Sequence, residues 1–185
     1  MENSLFWIVA AMAALVAAAA ARQDFRDCEV IWPLPVGHAA LCIGWGAFYA
    51  PPGMEHMLMS AALFAVVGLG VRMWFHWRLG FEALGLADVF ALAAIGGSLG
   101  AVIGAGVMLI ACVAAAAAIG AGGFGGRAGA KVGVATDRTV LPLLPFLLGV
   151  WALAFAAGIW GIAHEATFPG SGFGGVWSLA ASVAG

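Results

Sequence analysis

The chain has 185 residues, of which 64% are hydrophobic and only 9% charged, with a formal net charge of −2 and a mean hydropathy of +1.07. Near-continuous apolar runs of about 20 residues mark a polytopic membrane protein, and the length suits one domain. The seven basic residues are scattered, which excludes a nucleic-acid footprint, and Cys28, Cys42 and Cys112 form no CxxC pair, which argues against a zinc module or a redox dithiol.

The first apolar run covers roughly 4–21 and is preceded by Glu2, with no Lys or Arg. A signal peptide carries positive charge there, so the segment reads as a retained helix with its N-terminus outside. Arg22, Asp24, Arg26, Asp27 and Glu29 follow it. Taken alone, Asp24 reads as one of three solvated juxtamembrane acids. Further apolar runs cover roughly 31–50, 56–75, 84–99, 102–120 and 140–163. Asp88 is the sole charge between 83 and 120. As one helix that stretch would be about 57 Å long, at 1.5 Å per residue. Hydrocarbon is only about 30 Å thick, so the chain should fold back once, near Gly96 to Gly104. Gly96, Gly100 and Gly104 also have the four-residue spacing of close helix packing, and the pattern leaves both readings open. The expected fold is all-α, a single domain over 1–185 with about six transmembrane helices.

Charge then orients the helices. Arg22 and Arg26 lie in the first connection, Arg72 and Arg78 at the third, and Arg127, Lys131 and Arg138 in the fifth. All seven fall on one side of a six-helix plan, and the positive-inside rule makes that side cytoplasmic. The expectation is a multi-pass protein of the cytoplasmic membrane with both termini outside. The stretch 121–135 is rich in Gly and Ala and reads as a cytoplasmic loop reaching to about 139. It is not a P-loop, because Val132 follows Lys131. Trp7, Trp32, Trp74, Trp77 and Trp160 fall near expected helix ends, as interfacial anchors do. The tail beyond about 166 is Gly-rich, and its one apolar run is too short to span.

An acid at membrane depth costs roughly 2.5 to 3.5 kcal/mol at a helix centre. Asp88 therefore calls for a task or a partner. Alone it could cap the fourth helix, since Asp is a favoured capping residue. The topology, however, puts Asp24 and Asp88 in one leaflet, although they are 64 residues apart. Two carboxyls sharing a site cannot easily both ionise, which suits one as base and the other as proton-bearing acid. That is the arrangement of an aspartic protease. His38, His56, His76 and His164 read as interfacial or hydrogen-bonded histidines. Glu55, Glu82, Asp137 and Glu165 fall at helix ends or in loops, where solvation suffices.

Gly85-Leu86-Ala87-Asp88-Val89-Phe90, continuing in small and apolar residues to Gly96, resembles the GxGD region of prepilin peptidases. Ala21 to Ile31, with Asp24, is similar to that family's first-aspartate region. Pro142-Leu143-Leu144-Pro145-Phe146 resembles the proline-bearing start of its last helix. The resemblance runs from about residue 5 to 163 in the same order. It implies a membrane aspartic endopeptidase with Asp24 and Asp88 catalytic, and with Gly85 and Ala87 letting backbone approach the substrate. It implies a pilin-like or flagellin-like precursor as protein partner, membrane lipids around the helices, and no metal or other cofactor. Ala87 stands in place of the motif's second Gly, Phe90 in place of its Lys, and Ile31 where Pro is frequent. The zinc-binding insert of longer members is absent. These departures motivate a rival, a catalytically silent relative serving as an assembly factor. A second rival is a membrane carrier or redox subunit built on Asp88, or on His56 and His164.

Overall fold

The computed structural model describes residues 2–27, 30–49, 53–80, 84–120 and 143–167, and among them all regular structure is helical. Five helices follow in order: α1 (Glu2–Asp27), α2 (Pro33–Tyr49), α3 (Met54–Leu79), α4 (Leu86–Gly120) and α5 (Leu144–Thr167). The helices have local causes. α1 is rich in alanine, the strongest helix former. α2 opens on Pro33, whose missing N–H costs nothing in a first turn. α3 ends where Gly80 turns left-handed at φ 70° and donates its N–H to the His76 carbonyl at 3.1 Å.

Three helices hold stretches long and apolar enough to cross a membrane: Ser4–Asp24, Met54–Arg78 and Leu86–Ala118. The described residues are thus all-helical, with three helices of the length and composition of a membrane protein. The described residues form five helices rather than six, with the runs 84–99 and 102–120 both in α4. Within α4, Gly100 leaves helical geometry, at φ 74° and ψ 176°. A Cβ on Gly104 would lie 3.3 Å from Ile95 Cγ2. An unbroken helix would hold those two positions about 13.5 Å apart. The chain therefore doubles back at Gly100, and α4 is a hairpin of two helical arms. The turn and packing readings of the three glycines are both correct, at different residues. Gly100 makes the turn, while Gly96 and Gly104 face the same Phe64 ring, each 3.0 Å from the position of an added Cβ.

The first arm of α4 is the centre of the bundle. Residues 91 to 99 are all buried. α2, α3 and α5 pack around α4, and α1 packs on α2 and α5. Approach is close enough to exclude side chains. A Cβ on Gly96 would lie 2.5 Å from the Ser60 carbonyl oxygen, and one on Gly46 would overlap the Gly97 carbonyl. α1 contributes a stripe of Ala10, Ala13, Ala17 and Ala20, all buried, at the three- and four-residue spacing of one helix face.

Several boundaries shift. α1 continues past the apolar run to Asp27, and Asp24 stands inside its last turns. Arg72 lies within α3 rather than in a connection. α5 begins at Leu144, with Pro145 in its first turn, a position where proline is tolerated. The connection 121–139 with Arg127, Lys131, Asp137 and Arg138, together with Cys28, Glu29, Glu82, Pro142 and the tail from 168, lies outside the described residues.

Candidate functional site

Asp88 is the third residue of α4, not the residue that precedes the helix. Its Oδ2 accepts a hydrogen bond from the Gly85 N–H at 2.9 Å. That is half of a capping box, in which the third helical side chain reaches back to the capping residue. Gly85 is small for a local reason, since an added Cβ would stand 3.3 Å from Asp88 Oδ2. Ala87 sits in the helical first turn, where the backbone demands no glycine. The change from Gly to Ala in the motif is therefore compatible with this backbone. Just upstream, Arg72 Nη1 donates to the Leu84 carbonyl at 2.9 Å and ties α3 to the entry of α4. Sequence reading placed Arg72 in a loop and missed this role.

Asp24 lies at the same end of the bundle. The neighbouring Gln23 accepts the Ile31 N–H at 3.3 Å, which fastens the end of α1 to the connection before α2. Both aspartates are half-buried. The two are near enough that the charge of Asp24 acts on Asp88. The two acids that sequence reading singled out thus lie within electrostatic range, one from each of two helices that do not pack on one another. Phe90, which replaces the motif's Lys, packs edge-on against Trp32 with ring centroids 5.9 Å apart. That aromatic pair links the α1–α2 connection to the helix bearing Asp88.

A second polar cluster lies deep in the bundle, and sequence reading did not find it. His38 Nδ1 donates to the Ala13 carbonyl of α1 at 3.2 Å. Cys42 Sγ lies 3.7 Å from the His38 ring nitrogens. Trp151 Nε1–H donates to Ser98 Oγ at 2.9 Å, and Ser98 donates on to the Ala94 carbonyl at 2.7 Å. The His38 and Trp151 rings meet edge-on at 4.6 Å. All four side chains are at most 1% exposed. One signal was available, the four-residue spacing of His38 and Cys42 on a single helix face.

The remaining candidates stay apart. Glu55, His56 and His76 are exposed, and the side chains of His164 and Glu165 lie outside the described residues. Among the described residues, no three His, Cys, Asp or Glu side chains gather as a metal site would require. No family model, curated protein or solved structure matches this chain.

Proposed function

We propose that the protein is a membrane aspartic endopeptidase that cleaves the leader of pilin-like or flagellin-like precursors, with Asp24 and Asp88 as its catalytic pair. The observation that carries this reading is the placement of two half-buried carboxylates, from two helices, within electrostatic range of each other at one end of an otherwise oil-like bundle. Half-burial admits water while strengthening the interaction between the charges. One carboxylate draws a proton from water, and the other, protonated, polarises the scissile carbonyl. Gly85 is exposed and leaves backbone open beside Asp88 for an extended substrate. Ala87, in the next turn, is small enough to keep that approach clear.

The proposed topology has six spans in the cytoplasmic membrane, with the two arms of α4 crossing separately and both termini outside. The reversal at Gly100 supports it, as does the clustering of Arg22, Arg26, Arg72 and Arg78 toward the aspartate end. The Phe90–Trp32 contact favours a second reading, a silent relative acting in assembly, because it fills with aromatic surface the place where the motif carries a cation.

Co-expression with candidate precursors separates the two. The protease reading expects a shift to a shorter precursor, lost in Asp24→Asn and in Asp88→Asn. A panel of precursors left at full length, beside a known peptidase that cleaves them, would sink it.

A further inference from the structure

The helices that bear the two carboxylates do not pack on one another. Among the described residues, α1 packs on α2 and α5, while α4 packs on α2, α3 and α5. The separation of Asp24 from Asp88 is therefore set through intermediaries. The deep polar cluster is the place where those intermediaries join. His38 of α2 holds the Ala13 carbonyl of α1 on one side. On the other side its ring meets Cys42 and Trp151, and Trp151 bonds Ser98 of α4. The contacts run without a gap from α1 through α2 and α5 to α4.

The depth of this tie is matched on the two sides. Ala13 precedes Asp24 by eleven residues, and Ser98 follows Asp88 by ten. At 1.5 Å per residue the tie lies about 16 Å from one carboxylate and about 15 Å from the other. A bond at that level fixes how far α1 can slide along its axis relative to α4. Elsewhere the buried α1 face is mostly the methyl groups of Ala10, Ala13, Ala17 and Ala20, with Phe6 set against Trp45 of α2 at the end far from Asp24. A buried imidazole must also keep its bonds, because no water is present to replace them.

We propose that His38 is a positioning residue, which levels Asp24 with Asp88 by locking the register of α1 through the Ala13 carbonyl on one side and the Trp151–Ser98 pair on the other. Its consequence for cleavage rests on the protease reading, whereas its consequence for carboxylate separation does not.

The test reads both. Asp24→Cys and Asp88→Cys are introduced together, with Cys28→Ser and Cys112→Ser, and their bridging by a short bifunctional maleimide, which spans more than a disulfide can, is timed in native membranes. Cross-linking should be fast with His38 present and slower in His38→Leu by roughly tenfold, the scale of one lost hydrogen bond. His38→Asn, which places an amide N–H where Nδ1–H stood, should restore most of the rate. Trp151→Phe removes the Ser98 bond from the other side and should also slow the reaction, so the idea stays testable if His38→Leu fails to insert. Equal rates in the parent, His38→Leu and Trp151→Phe proteins would overturn the proposal. With the native aspartates present, His38→Leu should lower kcat for precursor cleavage while leaving KM unchanged, and His38→Asn should recover it. A rise in KM alone would count against a positioning role. If cross-linking responds as expected but no precursor is ever cut, the register lock stands and the protease reading falls.

Discussion

Asp88 has two tasks that substitution can separate. Its Oδ2 caps α4 through the Gly85 N–H, and its charge lies within reach of Asp24. Asn keeps a carbonyl oxygen for the cap but cannot act as a base. Asp88→Asn should therefore abolish cleavage with little loss of thermal stability in detergent. Asp88→Ala should lose the activity and about 1 kcal/mol of stability as well. Asp24→Asn should likewise abolish cleavage. The double Asn variant should be hardly worse than either single one, because members of one catalytic unit do not act additively. Asp27→Asn should matter far less. Full processing by both single variants would contradict the assignment. These two acids were legible in the sequence because charge is rare in such a chain. His38 was not, since in a bilayer the lipid-facing and core-facing sides of a helix are equally apolar. Period therefore cannot tell which face a polar residue occupies.

At the scale of the element, the glycines divide into kinds that substitution should tell apart. Gly100 occupies a backbone region open essentially to glycine alone, so Gly100→Ala should cost about 1–3 kcal/mol. Gly96→Ala should cost a similar amount for another reason, because its methyl group would press into the Ser60 carbonyl and force α3 from α4. Gly106 has nothing within 4 Å of an added Cβ and lies inside a helical arm. Gly106→Ala should stabilise by up to about 1 kcal/mol. Thermal unfolding of the three purified variants checks the order. A destabilised Gly106→Ala beside an unchanged Gly100→Ala would show that the hairpin is wrongly placed. The need for a reversal between 83 and 120 was readable from length against bilayer thickness. Which of three equally spaced glycines would turn was not, because spacing carries no information about φ.

At the scale of the whole molecule, the aspartate end of the bundle collects charge. Arg22 and Arg26 ride on the last turns of α1, and Arg72 and Arg78 on those of α3. The proposed orientation puts that end in the cytoplasm. After removal of the native cysteines, a reporter cysteine at Ala128 (Ala128→Cys) should react with an impermeant reagent only in inside-out vesicles. A second reporter, Ser4→Cys, should react only from the opposite side. Reversed labelling would overturn the orientation and with it the cytoplasmic placement of the carboxylates.

The burial of the first α4 arm assigns unequal parts to the two helices of the pair. That arm is walled in along its whole upper length and interlocks with its neighbours through glycines too tight for a methyl group. It is a stator. α1, by contrast, packs on α2 and α5 but not on α4, through a row of methyl groups, the Phe6–Trp45 contact and the His38 bond. Any change in the gap between the carboxylates during turnover would then be a stroke of α1, with Asp24 as the travelling member and Asp88 as the fixed one.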